Sequence, residues 1–261
     1  MTAAILQEIL ENKRKEIERS KRSRPREELE RCIEEAPPVR DFRLSLAARG
    51  FSCIAEMKRA TPARGALCQS YDPGSIAREY EAGGASALSV LTDQRFFQGS
   101  WEHLVEARSN VSLPVLRKDF ILDEYQILES RVIGADAVLL IAGILDQDRL
   151  IGLARACKSL GMACIAECHS REDICKSLEV GAEVIGINNR NIRDFSTDIN
   201  VSLALRPLVP NGLTVVSESG IRTRDEIVQL EEAGFDAVLI GETLMGARDR
   251  SAVLRSLFTK A

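Results

Sequence analysis

The chain has 261 residues, of which 45% are hydrophobic and 28% charged, and its formal net charge is −4. Those proportions are ordinary for a soluble protein with a full core, and the acidic balance argues against a general nucleic-acid surface. No apolar run approaches the ~20 residues of a membrane span, and the N-terminus lacks the apolar segment of a secretory signal. We therefore expect a cytoplasmic protein without a nucleic-acid or membrane partner.

The seven cysteines are odd in number and include no CxxC pair, which suits reduced thiols in the cytosol. Cys164, Cys168 and His169 come nearest to a group of metal ligands. Their spacing is not that of a zinc site, and the chain has only two histidines. We expect no metal ion.

The first 20 residues place Ile5, Leu6, Ile9 and Leu10 at helical spacing, with lysine and arginine on the opposite face. This pattern predicts an amphipathic helix ahead of the first strand. The basic run that follows, at 21–31, is most simply a solvated face or a loop, and a site for an anionic partner is the alternative.

Eight runs rich in valine, isoleucine and leucine follow, each separated from the next by an amphipathic stretch that predicts a helix. The runs are FSCIAEMK (51–58), ASALSVLT (85–92), PVLRKD (114–119), DAVLLIA (136–142), MACIAEC (162–168), EVIGINN (183–189), LTVVSE (213–218) and DAVLIG (236–241). Similar segments occur where a predicted helix meets the next predicted strand, such as GADAVLLI (134–141) and GFDAVLIG (234–241). They indicate a weak internal repeat of a βα unit.

Helix start and stop signals lie between these runs. The start signals are Asp72 before Pro73, and the capping boxes of Asp123 with Gln126 and of Thr223 with Glu226. The glycines placed for a left-handed stop are Gly161, Gly181 and Gly234.

Apolar strands that alternate with helices predict a parallel sheet covered by helices, and eight such units predict a (β/α)8 TIM barrel. We expect one barrel domain over residues 1–261, with residues 1–48 as an N-terminal helical extension. The alternative is an open doubly wound sheet. Its dinucleotide-binding form lacks support, because no GxGxxG follows the first strand.

Charged and polar residues stand at the ends of the predicted strands, where a barrel of this kind has its active site. They are Glu56, Lys58, Lys118, Glu167, Asn188, Arg190, Glu218 and Ser219. Alternation places Ile54, Leu116 and Ile165 on the same inward faces, which predicts an apolar floor beneath a charged rim. Any one of these residues can be a strand-end charge that is paired and solvated. The whole set indicates a site, because clustered charges need partners or a ligand.

The segments SESGI (217–221) and LIGETLM (239–245) predict a phosphate site. Gly220 and Gly241 leave backbone N–H groups open, a helix that begins after Gly241 directs its positive end there, and Ser219 adds a hydroxyl. Glu242 is expected to help only through its backbone N–H, with its carboxylate turned away. The alternative is that both glycines are plain turn residues.

Two loops complete the predicted mouth. Phe96 and Phe97, in TDQRFFQGS (92–100), are either a plug for the barrel or a wall for an aromatic ligand. The segment 59–70 carries Arg59 and Arg64 with Pro62 and Gly65, a composition that fits a lid.

These residues together resemble the indole-3-glycerol phosphate synthase family of tryptophan biosynthesis. The resemblance lies in IAEMKRATPARG, TDQRFFQGS, LRKDFILDEYQILESRVIGADAVLLI, AECHS, IGINNRNI and SESGI, which occur in that order. It implies a carboxy-lyase that closes a ring on 1-(o-carboxyphenylamino)-1-deoxyribulose 5-phosphate, losing carbon dioxide and water to give indole-3-glycerol phosphate.

The resemblance also implies a role for each rim residue. Lys118 would be the general acid and Glu167 the base, while Lys58 would hold an anionic group and Glu56 would orient the lysines. The groups that bind the rest of the substrate would be Asn188, Arg190, Glu218, Phe96 and Phe97, and those that bind its phosphate Lys58, Ser219, Gly220, Gly241 and Glu242. No cofactor is implied, because the amino group of the substrate supplies electrons to the ring.

Two other functions stay open from the residues. One is a sugar-phosphate isomerase, which is typically served by a cysteine and an aspartate, whereas this first strand ends in Glu56 and Lys58. The other is a regulatory barrel that binds a phosphorylated metabolite without turnover. The expected partner is a phosphorylated small molecule, and the expected state is a monomer on which another enzyme of the pathway can dock.

Overall fold

The structure, a computed structural model, describes residues 2–48, 50–62, 65–68, 70–191 and 196–259. Arg64, which the sequence places in a lid, lies outside these residues. Within the described ranges, eight parallel strands form a closed barrel in which the first strand pairs with both the second and the eighth. The strands are β1 Ser52–Met57, β2 Ala87–Leu91, β3 Val115–Lys118, β4 Ala137–Ile141, β5 Ala163–Cys168, β6 Val184–Asn188, β7 Thr214–Glu218 and β8 Ala237–Ile240.

Helices precede the barrel, connect its strands and follow it. They are α1 Thr2–Ser23, α2 Arg26–Ile33, α3 Phe42–Ala47, α4 Pro73–Gly83, α5 Gln94–Phe97, α6 Trp101–Ser109, α7 Glu124–Val132, α8 Gln147–Ser159, α9 Arg171–Glu179, α10 Asn200–Leu205, α11 Arg224–Glu232, α12 Glu242–Met245 and α13 Arg250–Phe258. Short 3-10 helices span Ala142–Ile144 and Arg206–Leu208, and a small antiparallel hairpin joins Ala60–Thr61 to Gly65–Ala66. The predicted barrel and the predicted N-terminal helix are confirmed, and the basic run at 21–31 lies at the end of α1 and in α2.

The local signals explain why the helices begin and end where they do. Both predicted capping boxes are present, at the starts of α7 and α11, and the Asp72 side chain accepts the N–H of Ser75 at the start of α4. Gly161, Gly181 and Gly234 all have a positive φ between +71° and +85°. A residue with a Cβ would be strained there, so these glycines let the chain leave the helix and return to the barrel.

The barrel has an apolar core inside the strands and a second one between the strands and the helices. Successive residues on β1 show the division, since Ile54 belongs to the inner core whereas Cys53 and Ala55 belong to the outer one. Helix α3 adds Phe42 and Leu46 to the inner core. Because the Leu46 carbonyl accepts a hydrogen bond from the Ser52 hydroxyl at the start of β1, α3 closes the end of the barrel opposite the charged rim.

Candidate active site

The ends of three strands bring one lysine between two carboxylates. Lys118 Nζ, at the end of β3, lies 2.7 Å from Glu167 Oε2 on β5 and 3.1 Å from Glu218 Oε2 on β7. The two carboxylate side chains are 5% and 1% exposed. Buried charges are stable only when paired, so this triad fixes the positions of all three groups.

Lys58 forms a second ion pair on the same rim. Its Nζ lies 2.6 Å from Glu56 Oε2 at the end of β1. Two glycines make room for the buried acids: a Cβ on Gly241 would clash with Glu56, and one on Gly186 would clash with Glu218. The absence of a side chain at these positions therefore sets where the carboxylates lie.

The lysines separate the pKa values of the acids. Burial raises the pKa of Glu167, but the charges of Lys118 and His169 and the hydrogen bond from Lys118 together outweigh burial, so the pKa is lowered. The pKa of Glu56 is lowered in the same way, because the charges of Lys58 and Lys118 and the hydrogen bond from Lys58 act together against burial. Burial raises the pKa of Glu218 to about 8, because Lys118 only partly offsets it and the charge of Glu167 adds to it. Two carboxylates on one ammonium do not both ionise readily, so burial and the charge of Glu167 favour the protonated form of Glu218, whereas Lys118 favours the ionised form of Glu167.

The Glu218 carboxyl is expected to make stability depend on pH. Its pKa rises from 4.5 to about 8 on folding, so the native state binds more protons than the unfolded state between these values. The associated stability is fully present below pH 4.5 and lost as pH rises past about 8. Relative to wild type, Glu218→Gln should therefore gain free energy of unfolding across this window, by up to about 1.4 kcal/mol per pH unit. Urea unfolding of both proteins at pH 5 and pH 9 measures this difference, and a constant difference would contradict it.

Two cavities meet at this rim. The apolar cavity has aliphatic and aromatic walls above the charged pairs and is lined by Ile5, Leu6, Ile9, Leu91, Phe97, Phe120, Leu139, Ile141, Ile144, Glu56, Lys58, Lys118, Asp119, Glu167, His169, Asn188, Arg190 and Ser219. The polar cavity is lined by Ser196, Thr197, Gly220, Ile221, Arg222, Leu239, Ile240, Gly241, Glu242 and Thr243, together with four residues of the first cavity. The shared residues are Glu56, Lys58, Arg190 and Ser219, so one extended ligand could occupy both cavities.

Strained backbone and cross-loop hydrogen bonds shape the polar cavity. Ser219 and Gly220 both have positive φ, +69° and +79°. The Asn189 amide donates to the Ser219 carbonyl at 3.0 Å, and the Thr243 hydroxyl donates to the Ile221 carbonyl at 2.7 Å. The first bond joins the loop after β6 to the loop after β7, and the second joins the loop after β7 to the segment after β8. The predicted helix start after Gly241 is present as α12.

Arg190 and Glu242, which both line the polar cavity, form an ion pair, with the Arg190 Nη2 atom 2.5 Å from Glu242 Oε1. The side chain of Asn188 accepts the backbone N–H of Arg190 at 2.9 Å, and its amide contributes to the lowered pKa of Glu167. The Glu242 carboxylate, which the sequence predicts to turn away from the phosphate site, is held on this guanidinium. The pairing neutralises a negative charge that would otherwise repel an anion.

The two phenylalanines after β2 differ in position. Phe97 lines the apolar cavity, with its ring centroid 6.3 Å from that of Phe120. Phe96 does not line it, and the Arg95 guanidinium lies 5.1 Å from its ring centroid. The geometry therefore favours the wall for Phe97, while the binding role of Phe96 stays a prediction.

Sequence reasoning missed two parts of the site. Ile5, Leu6 and Ile9 of α1 line the apolar cavity, and their periodic spacing predicted a buried face without showing what covers it. His169 Nε2 lies 3.6 Å from Glu167 Oε1, and its place two residues beyond the predicted base was the available signal.

The sequence also predicts reduced cysteines, no metal ion and no membrane span. All seven cysteines fall in the described residues and are free thiols. Among the residues that the structure describes, no group of three or more histidine, cysteine, aspartate and glutamate side chains is arranged to hold a metal ion. None of the described helices combines the length and the apolar content that a membrane crossing requires.

Structural comparison finds solved proteins that share this fold. A 3-hexulose-6-phosphate synthase from Salmonella typhimurium superposes with a TM-score of 0.63 at 13% identity, over 79% of this chain and 96% of that one. A thiamine phosphate pyrophosphorylase from Pyrococcus furiosus gives 0.59 at 16% identity, over 81% and 95%. At such identities the likeness concerns the fold alone.

Sequence comparison is more specific. The family model described as indole-3-glycerol phosphate synthase matches residues 6–257. Indole-3-glycerol phosphate synthases from Chlorobium phaeovibrioides and Lachnoclostridium phytofermentans are 48% and 41% identical, each over 97% of this chain and over 97% and 98% of their own lengths. An indole-3-glycerol phosphate synthase 2 from Streptomyces coelicolor is 48% identical over 85% of this chain and 86% of its own. The chain therefore belongs to the indole-3-glycerol phosphate synthase family.

Proposed function

We propose that the two connected cavities bind 1-(o-carboxyphenylamino)-1-deoxyribulose 5-phosphate and that the triad of Lys118, Glu167 and Glu218 carries out its ring closure to indole-3-glycerol phosphate. The observation that carries the proposal is the position of the triad, below an apolar cavity that adjoins a polar one. The aromatic ring fits the first cavity and the phosphate the second, which leaves the carbonyl carbon near Lys118.

Lys118 is the general acid in this proposal. Burial lowers its pKa, but Glu167, Glu218 and Glu56 outweigh burial and raise it, so the group meets the substrate as an ammonium ion. As the ring carbon that bears the carboxylate attacks the carbonyl carbon, the carbonyl oxygen gains charge and takes the proton. Loss of carbon dioxide follows at the same ring carbon.

Glu167 is the base for the later steps. Its lowered pKa keeps it ionised, and the Lys118 ammonium and His169 lie on either side of its carboxylate. It accepts the proton whose loss restores the aromatic ring and passes that proton to the hydroxyl, which leaves as water. The nitrogen of the substrate supplies the electrons, so no cofactor takes part.

The anionic ends of the substrate have separate partners. Lys58 lies between the two cavities and holds an anionic group by charge, while Glu56 keeps this lysine in place. Arg190 and Asn188 bind the carboxylate and the hydroxyls, with Phe96 and Phe97 expected beside the ring. The phosphate takes the Ser219 hydroxyl and the backbone N–H groups of the two loops, namely those of Gly220, Gly241 and Glu242.

The direct test supplies the purified protein with this substrate and follows the fluorescence of the indole product. Product formation supports the proposal. A folded protein that binds the substrate without turnover would favour the regulatory barrel, and isomerase activity on phosphoribosylanthranilate would favour the other alternative.

We further propose that the chain acts as one barrel domain with residues 1–48 as its extension, and as a cytoplasmic monomer. Size-exclusion chromatography tests the monomer.

The position of Gly241 gives a prediction about the phosphate end. A Cβ at this position would clash with Glu56, so Gly241→Ala must displace either that carboxylate or the loop after β8. Because displacements near 1 Å can change rates about 10²-fold, we expect kcat/KM to fall by about that factor and inhibition by inorganic phosphate to weaken. Gly152→Ala on α8 is the matched control, since its Cβ would meet only a side-chain oxygen of Glu124 at 3.7 Å. Unchanged kinetics in Gly241→Ala would contradict the prediction.

A further inference from the structure

Helix α1 carries a buried lysine, Lys13, that the proposed mechanism does not use. The Lys13 side chain is only 5% exposed, and its Nζ lies 2.8 Å from Asp119 Oδ1, 3.0 Å from Asp93 Oδ2 and 2.7 Å from Glu16 Oε2. Burial lowers its pKa, but the charges of Asp119 and Asp93 outweigh burial and raise it. Glu16 belongs to the same helix, whereas the two aspartates come from the barrel.

Both aspartates follow the ends of barrel strands; Asp119 lines the apolar cavity, and Asp93 lies two residues after Leu91, which also lines it. Asp119 follows Lys118 in the chain. Asp93 follows β2, and its side chain accepts the N–H of Phe96 at 2.8 Å, which caps the short helix α5 that carries Phe97. A cation on α1 therefore joins the loop of the proposed general acid to the loop of the aromatic wall.

Asp119 is held from several sides. The Thr92 hydroxyl donates to its Oδ2 at 2.6 Å, Arg117 Nη2 lies 3.2 Å from the same oxygen, and the N–H of Phe120 donates to Oδ1 at 2.8 Å. Only Lys13 among these donors comes from outside β2, β3 and their loops. The contact with Lys13 thus couples Asp119 to the position of α1.

The same face of α1 covers the apolar cavity. Ile9, Leu6 and Ile5 precede Lys13 by four, seven and eight residues, a spacing that places them on its side of the helix. All three line the cavity. Rotation or withdrawal of the helix would open this wall and would at the same time break the ion pairs of Lys13 with Asp93 and Asp119.

We propose that Lys13 is a positioning residue, which locks α1 over the barrel mouth and so fixes both the apolar wall of the ring site and the loop that carries Lys118. The inference rests on the proposed function of the two cavities. Lys13 touches no reacting atom and acts through Asp93 and Asp119.

The test is the kinetics of Lys13→Met, which keeps the length of the side chain and removes its charge. Asp93 then loses its cation, Asp119 keeps only Arg117, and α1 shifts, so we expect KM to rise and kcat/KM to fall by about 10²-fold. The matched control is Lys15→Met, an exposed lysine on the same helix, which should retain wild-type kinetics. Assays run below the unfolding temperature of each variant.

A double-mutant cycle separates positioning from a merely structural role. Ile9→Ala should raise KM in the wild-type background and have a much smaller effect in Lys13→Met, because the helix is already displaced. Wild-type kcat and KM in a less stable Lys13→Met, or full additivity with Ile9→Ala, would overturn the inference.

Two further outcomes are decisive. If Lys13→Met does not fold, Asp93→Asn replaces it, since asparagine can still cap α5 while the charge is lost; a raised KM supports the inference and an unchanged KM overturns it. If wild type and Lys15→Met themselves form no product, the proposed function fails. An active wild type with an equally active Lys13→Met contradicts the role of Lys13 alone.

Discussion

Replacing Lys118 with alanine is expected to lower kcat by about 10²–10⁴-fold, the range that a positioned general acid contributes. The ammonium lies between Glu167 and Glu218, and no other cation of the described residues forms an ion pair with either oxygen that it contacts. Without it, the carbonyl oxygen of the substrate gains charge with no donor beneath it. Single-turnover measurements should show that release of carbon dioxide and formation of the indole slow together, because ring closure precedes both.

The barrel should stay folded in Lys118→Ala. Glu218 already favours its protonated form, and Glu167 can take up a proton once the neighbouring charge is gone, so the two buried carboxyls can share the change. Circular dichroism at the assay temperature checks the fold. Lys158→Ala removes an exposed lysine of α8 and is the matched control. Turnover near the wild-type rate in Lys118→Ala would remove Lys118 from the mechanism.

The site residues at the strand ends could be predicted from sequence for two reasons. Side chains alternate between the two faces of a strand, and the C-terminal ends of all the barrel strands lie at the same end of the barrel. Ile54 and Glu56 are two residues apart, so an inward-facing isoleucine requires an inward-facing glutamate at the end of the same strand. The structure has both on the inside. The same reasoning holds for Ile165 with Glu167 and for Val216 with Glu218.

The N-terminal helix could not be assigned to the mouth in the same way. Its apolar spacing shows that one face is buried, but the partner of that face lies some 80 to 140 residues later in the chain and only tertiary packing selects it. Lys13 illustrates the point, because among many lysines in a basic segment its burial depends on Asp93 and Asp119. Phe96 and Phe97 show a local limit: successive residues of a helical turn point in directions about 100° apart, so only one of them faces the cavity.

Glu167→Gln is expected to separate the two halves of the reaction. Glutamine keeps the shape of the side chain and an oxygen that can accept a hydrogen bond from Lys118, so the ammonium stays near its position and KM should change little. The amide cannot accept a proton at neutral pH. Loss of the base should therefore lower the rate of indole formation by about 10²–10⁴-fold.

The distinguishing observation is the order of events in a single turnover. Because Lys118 remains, Glu167→Gln should still close the ring and release carbon dioxide, while the fluorescent indole appears much later; in Lys118→Ala both signals are slow. Glu172→Gln, a fully exposed glutamate at the start of α9, is the matched control and should behave as wild type. If carbon dioxide and indole were delayed equally in Glu167→Gln, Glu167 would act at ring closure instead. The separate roles proposed for Lys118 and Glu167 would then be wrong, because release of carbon dioxide stays fast only when the missing base acts after ring closure.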